Sequence, residues 1–271
     1  MTQIKAVVFD WAGTMVDFGC RAPVDALVAA FAAERVTLST AAARREMGMA
    51  KRAHVAAILA NPEVMQAWTE AKGAEPGDAD LERIFEALGP LMTEAAERCS
   101  ELIPGAAKVA GDLRARGVRI GSGTGYSPQM MEPILRRAAE QGYEPEVVVC
   151  AGDTPSGRPS PQPLWEALIS LDAWPASLCV KVDDAEVGVR EGRYAGCWTV
   201  GIAASGNGVG LSLEALEALP APERRARIDD AGEVLIAAGA HLIIDTVADL
   251  PGALEEIERR IAAGERPGQA G

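Results

Sequence analysis

The chain has no run of about 18 apolar residues, the length a membrane-spanning helix needs, in any part of its 271 residues. It opens in a strand pattern, without a basic, apolar, small-residue leader, so a cytoplasmic protein is expected. Histidine occurs only as His54 and His241, and the five cysteines are scattered with no CxxC. Neither a His/Cys zinc site nor a disulfide framework fits that supply. Any metal should be a hard ion held by carboxylates, such as Mg²⁺. Positive charge is short as well. The net charge is −13 and no Lys/Arg block interrupts it, which argues against nucleic acid and anionic membrane as partners. Lysine is scarcest of the charged residues: Lys5, Lys51, Lys72, Lys108 and Lys181 make up five of the 26 basic residues.

The chain is organised around Val7-Val8-Phe9-Asp10-Trp11-Ala12-Gly13-Thr14. Residues 4–9 are apolar and β-branched, the pattern of a buried parallel strand. Asp10 follows at its carboxyl end, where open α/β sheets bind ligands. A turn or N-cap aspartate is the structural alternative.

Residues 20–100 then read as almost wholly helical, with helices expected over 23–34, 39–45, 52–60, 63–72 and 79–99. From Pro104-Gly105 the pattern alternates. Helices over 106–116, 128–141, 161–171 and 187–195 lead to strands over 118–122, 146–150, 178–182 and 198–202. The remainder adds helices at 212–219 and 222–238, a strand at 241–244 and a helix at 247–262, with residues 264–271 expected to fray. Repeated helix-then-strand units imply an α/β fold with a doubly wound parallel sheet. The helical stretch is expected to be an insertion, dividing the chain into a core of residues 1–19 and 104–271 and a helical domain of residues 20–103. Gly206-Asn207-Gly208-Val209-Gly210 reads as a flexible loop, with a phosphate-cradling role open to it.

Three further strand ends carry polar groups. Gly123-Thr124-Gly125-Tyr126 offers small residues, a hydroxyl and N–H groups to phosphate oxygens, or is an ordinary turn. Arg158, in Gly157-Arg158-Pro159, either reaches a phosphoryl group or Asp10, or lies on the surface. Asp183-Asp184 ends a strand as two repelling carboxylates that call for a cation, unless they cap the next helix.

The order strand-Asp, strand-Gly-Thr-Gly, loop-Arg-Pro, strand-Asp-Asp resembles the haloacid dehalogenase superfamily, whose members mostly transfer phosphoryl groups through an aspartyl-phosphate. The helical block resembles its inserted cap domain. Most phosphatases of that superfamily carry an acid/base aspartate two positions after the nucleophile; Ala12 stands there. Residues 9–14, Asp17-Phe18-Gly19-Cys20 with Ala22-Pro23, residues 47–55 and Ala195-Gly196-Cys197-Trp198-Thr199-Val200-Gly201 resemble the phosphonoacetaldehyde hydrolase family, which cleaves a carbon–phosphorus bond.

That resemblance implies Asp10 as nucleophile, Lys51 as Schiff-base amine and His54 as a proton shuttle. Thr124, Arg158 and Gly13 would bind the phosphoryl group, and Met47, Cys20 and Gly48 would line the aldehyde end. Mg²⁺ would sit on Asp10, the Ala12 carbonyl and Asp184. Some members carry a further aspartate where this chain has Gly188, so Asp183 or Glu186 is expected to stand in. Arg52 and His54 are expected to depress the Lys51 pKa. A phosphatase or phosphomutase for small phosphate esters is the alternative activity. Hinges are expected near Gly19 and residues 103–105. A homodimer through the cap domains is implied, with faces at residues 24–31 and 58–68 as surfaces available to it.

Overall fold

The computed structural model of the chain describes residues 3–268. Residues 269–271, within the tail expected to fray, lie outside them. Six strands form one sheet: β1 (Ala6–Phe9), β2 (Arg119–Gly123), β3 (Val147–Val149), β4 (Cys179–Asp183), β5 (Trp198–Ile202) and β6 (Leu242–Ile244). Their order is β3-β2-β1-β4-β5-β6, and every pairing is parallel. β1 is therefore central, with Phe9 in register between Ser122 and Val182. That register brings Asp10 to the same sheet edge as the ends of β2 and β4.

Both faces of the sheet are covered, as near-continuous apolar strands require. Val7 and Phe9 belong to a core shared with Val109, Leu113, Met131, Ile134 and Leu254. Ala6 and Val8 alternate onto the other face, against Leu164, Leu168 and Leu171. The helices responsible are α6 (Ala106–Ala115), α7 (Pro128–Glu140) and α12 (Leu250–Ala262) on the first side, and α8 (Gln162–Ser170) on the second. α9 (Glu186–Ala195), α10 (Leu213–Glu217) and α11 (Ala221–Ala237) complete the core region. The last helix starts later than residue 247. Val247–Asp249 is a separate 3₁₀ turn, and Pro251 occupies the first turn of α12, where its missing N–H costs nothing.

Five helices lie between β1 and α6: α1 (Ala22–Ala33), α2 (Thr40–Arg44), α3 (Lys51–Leu59), α4 (Pro62–Lys72) and α5 (Asp78–Cys99). Asn61 accepts from the Glu63 N–H and Pro62 opens α4, so the Asn-Pro pair starts that helix as well as ending α3. The chain leaves for this block and returns from it side by side, with Val16 bridged to Leu102 and the Ile103 N–H donating to the Met15 carbonyl. The apolar faces at 24–31 and 58–68 are spent inside the chain. Val24, Leu27, Phe31, Ile58, Val64 and Trp68 are all buried, and Phe31 meets Trp68 edge-on.

Candidate active site

β1 delivers Asp10 to a small cavity between the strand ends and the helical block. From the sheet side it is lined by Asp10, Ala12, Thr124, Gly125, Tyr126, Asp184 and Ala185; from the other side by Cys20, Pro23, Met47, Gly48 and Lys51. Residues more than 170 positions apart thus share one enclosure.

The sheet side is a charge network. Arg158 Nη1 donates to Asp10 Oδ1 at 2.5 Å. Its Nε lies 3.0 Å from Glu191 Oε2 and its Nη1 3.6 Å from Asp183 Oδ2. Lys181 Nζ sits 3.0 Å from Asp183 and 3.2 Å from Glu191. Arg158 Nη2 is buried and has no partner among the described residues, so it retains donors for an incoming oxyanion. Asp10, Asp183, Asp184 and Glu191 are all buried, against two buried cations on this side, Arg158 and Lys181. Burial, then the Asp183 charge, raises the Asp10 pKa, opposed by Arg158 and Lys181. Burial, then Asp10 and Asp183, raises Asp184 well above the carboxylate range.

A buried excess of negative charge needs a counter-ion. Oxygen atoms of Asp10, Asp183 and Asp184 lie within 4.8 Å of one another, and an all-carboxylate donor set suits a hard divalent cation. The residues present fit such an ion.

The second cationic arm comes from the helical block. Lys51 is the first residue of α3 and is only 3% exposed. Its Nζ lies 3.8 Å from Met47 Sδ and 5.1 Å from the centre of the Tyr126 ring. Burial, with a smaller push from Arg158, lowers its pKa to about 8, while Asp10 and Asp184 pull the other way. Arg52 turns outward to pair with Glu82, its side chain 55% exposed, so desolvation of the amine replaces a charged neighbour as the main depressant.

Other expectations change with the geometry. His54 is wholly buried, and its Nε2 lies 2.6 Å from the Arg45 carbonyl oxygen, to which it donates. Burial, then Lys51, holds its pKa at about 3, and it does not line the cavity. Nε2 thereby holds the turn before α3, while Nδ1 is buried without a partner among the described residues. The Gly13 N–H is used by the carbonyls of Val16 and Asp17, so it is not free for a phosphoryl oxygen. A Cβ on Gly13 would lie 2.3 Å from Asp184 Oδ2; its smallness seats that carboxylate. In the loop 206–210 the Asn207 N–H donates to Asp184 Oδ2 at 2.7 Å, and the loop does not line the cavity that holds Asp10 and Lys51.

Of the two proposed stand-ins near Gly188, Glu186 is excluded: its side chain is 48% exposed, faces Arg190 and lines a neighbouring cavity. Asp183 joins the cluster instead. A Cβ on Gly188 would fall 1.9 Å from Asp183 Oδ2, so the Asp183 carboxylate occupies the space a side chain at 188 would take. Gly188→Ala is therefore expected to cost about 1–3 kcal/mol, the usual penalty of overpacking. Measured by urea denaturation against an Asp183→Gly background, that cost should largely vanish. An equal cost in both backgrounds would disprove the steric coupling.

Lys181, Glu191 and Tyr126 were not singled out by the sequence. The Tyr126 hydroxyl is buried without a partner among the described residues, and its ring lines the cavity beside Lys51.

The model of the haloacid dehalogenase-like hydrolase family matches residues 4–196. The chain is 46% identical to a phosphonoacetaldehyde hydrolase of Paraburkholderia phytofirmans, over 98% of this chain and all of that one. It is 42% identical to one of Hahella chejuensis, over 99% and 91%. A crystal structure of a phosphonoacetaldehyde hydrolase-like protein from Oleispira antarctica superposes with a TM-score of 0.96 at 40% identity, covering 98% of this chain and 96% of that one. A hydrolase from Pseudomonas syringae, with a TM-score of 0.68 at 20% identity and coverage of 93% and 99%, shares the fold. With a strand-end aspartate, an arginine upon it and a carboxylate cluster beside it, all within the matched residues, the chain belongs to the haloacid dehalogenase-like hydrolases and, among them, to the phosphonoacetaldehyde hydrolase family.

Proposed function

We propose that the cavity hydrolyses the carbon–phosphorus bond of phosphonoacetaldehyde, giving acetaldehyde and phosphate, with Lys51 as the amine and Asp10 as the nucleophile. The observation that carries this reading is a desolvated lysine sharing one small cavity with a strand-end aspartate. Breaking a C–P bond directly would expel a carbanion. An imine between Lys51 and the aldehyde turns the departing carbon into an enamine, because the bonding electrons flow towards the iminium nitrogen. Asp10 attacks phosphorus in line, the enamine takes a proton and hydrolyses to acetaldehyde, and water cleaves the aspartyl-phosphate.

Thr124 and Arg158 steady the phosphoryl oxygens, since positioning and charge stabilisation dominate such transfers. Met47, Gly48 and Cys20 enclose the aldehyde. Burial raises the Cys20 pKa well above its ordinary value, so it stays a neutral thiol beside the amine. Mg²⁺, held by Asp10, Asp184 and the Ala12 carbonyl with Asp183 behind them, would neutralise phosphonate charge. Ala12 follows from the chemistry: the leaving group is carbon, so no ester oxygen awaits a proton. A phosphatase or phosphomutase acting on small esters would have use for an acid there, and a panel of such esters should turn over poorly.

The helical block acts as a cap, hinged near Gly19 and residues 103–105. A homodimer through the caps completes the reading; the apolar positions at 24–31 and 58–68 are occupied within the chain, so other cap residues must form the contact. Sedimentation that returns only monomer rejects it. No helix among the described residues is long and apolar enough to cross a membrane. All five cysteines are free, which supports a reducing, cytoplasmic setting.

Borohydride tests the imine directly. With phosphonoacetaldehyde present, it should inactivate the protein and leave a reduced adduct on Lys51. Only the neutral amine condenses, so the inactivation rate should rise about tenfold per pH unit below the Lys51 pKa, levelling off near pH 8. An adduct on another residue, or a rate independent of pH between 6 and 8, would contradict the assignment.

A further inference from the structure

Arg44 is the last residue of α2, and its guanidinium reaches out of the helical block in several directions at once. Nη1 donates to the Gly19 carbonyl at 3.0 Å, the Cys20 carbonyl at 3.3 Å and Asn207 Oδ1 at 3.0 Å. It also lies 3.4 Å from the Asn207 carbonyl, and Nη2 donates to the Gly210 carbonyl at 3.0 Å. Asn207 returns the contact, its Nδ2 donating to the Arg44 carbonyl at 3.1 Å. These acceptors are all neutral oxygens, so the guanidinium serves as a clamp of fixed geometry, for which its planar fork is suited.

One clamped segment is the crossing at Gly19-Cys20, on which the helical block hangs. The other is the loop 206–210 that follows β5. That loop is shaped to receive both neighbours. A Cβ on Gly210, where φ is +67°, would fall 2.6 Å from Arg44 Cζ, and one on Gly206 would fall 2.6 Å from Asp184 Cβ. Between these two glycines, the Asn207 N–H donates to Asp184 Oδ2 at 2.7 Å. Asp184 Oδ1 accepts a long, 3.4 Å hydrogen bond from Thr14 Oγ1.

We propose that Arg44 and Asn207 form a latch by which seating of the helical block sets the Asp184 carboxylate for its cation. The proposal rests on the reading above of Asp184 as a metal ligand and of the block as a moving cap. With Arg44 in place, Asn207 is tethered through both side-chain atoms and its N–H pins Oδ2, leaving Oδ1 to face the cluster. With the block lifted, the tethers go, and the short loop is free to carry the N–H away. Arg44 and Asn207 are positioning residues: neither lines the cavity that holds Asp10 and Lys51. The coupling is reciprocal, as linkage requires. Whatever the latch adds to cation affinity, the cation returns to closure.

The test is titration of the metal-free protein with Mn²⁺, followed by electron paramagnetic resonance. Arg44→Ala should weaken Mn²⁺ binding about tenfold, the low end for loss of an outer partner of a ligand. Asn207→Ala should weaken it in the same direction. The double variant should fall within about twofold of Arg44→Ala, because the two act as one unit. In parallel, Mn²⁺ should slow amide exchange over residues 44–50 and 206–210 in the parent chain and not in Arg44→Ala. Wild-type affinity in a folded Arg44→Ala protein, or additive losses in the double variant, would overturn the latch. Should Arg44→Ala not fold, Arg44→Lys answers the question: one ammonium cannot span the Gly19 and Gly210 carbonyls, so partial weakening is expected and unchanged affinity refutes it. Mn²⁺ binding needs no substrate, so failure of the imine chemistry leaves this test standing, and unchanged affinity removes the latch alone.

Discussion

Lys51→Arg should abolish carbon–phosphorus cleavage, with turnover falling on the order of 10⁴-fold or more, the scale of losing a covalent participant. Arginine keeps its proton at any working pH and cannot form an imine. The substitution keeps positive charge in the cavity, so a purely electrostatic role for Lys51 predicts substantial residual activity. The arginine must also fit where Lys51 is 3% exposed and packed on Met47 and Tyr126. Lys51→Met, which matches the lysine stem in size, separates crowding from chemistry. Both variants should bind Mg²⁺ normally, since Lys51 lies across the cavity from the carboxylates. Steady-state release of acetaldehyde from phosphonoacetaldehyde is the measurement. Turnover within tenfold of the parent in either folded variant would end the imine mechanism.

The parts of this site that sequence exposes are those tied to strand ends. Asp10, Thr124 and Asp184 each follow directly on a strand, and a parallel sheet brings such positions to one edge whatever lies between them. Lys51 is legible for another reason, as one of few lysines in a chain rich in arginine, set within a stretch that resembles one family.

Lys181 and Glu191 are not legible, because their patterns have ordinary meanings. In Cys179-Val180-Lys181-Val182-Asp183, alternation suggests a lysine turned to water. In the fold that face is covered, and Lys181, Asp183 and Glu191 are buried together. Glu191 on an amphipathic helix likewise reads as a solvated residue until the helix's partner is known. The roles expected for Arg52 and Gly13 fail for a similar reason. Proximity in sequence suggested that Arg52 faces Lys51, yet helix geometry sends adjacent side chains in different directions. The Gly13 N–H is consumed by the turn that follows it, on the Val16 and Asp17 carbonyls. Tertiary pairing decides each of these, and no local pattern encodes it.

Asp10→Asn is expected to pull activity and stability in opposite directions. Turnover should fall on the order of 10⁵-fold or more, because an amide oxygen is too weak a nucleophile to capture phosphorus. In chelator, however, the variant should melt at a higher temperature than the parent at neutral pH. The sign comes from the charge balance: Asp10, Asp183, Asp184 and Glu191 are buried with only Arg158 and Lys181 against them on the sheet side. Burial and Asp183 raise the Asp10 pKa above its usual 3.8. A carboxyl whose pKa rises on folding contributes less stability as pH increases from the unfolded value through the folded one. At neutral pH its ionised form is therefore a cost, and asparagine removes that cost while keeping the shape. The Arg158 contact weakens, but Arg158 retains Glu191 at 3.0 Å. Added Mg²⁺ should narrow or reverse the difference, since the parent has one more carboxylate to offer the ion. Paired melts with chelator and with Mg²⁺ decide the matter. A lower melting temperature for Asp10→Asn in chelator would mean that the Arg158–Asp10 pair outweighs the repulsion among the carboxylates, and the case for a cation at this cluster would lose its electrostatic footing.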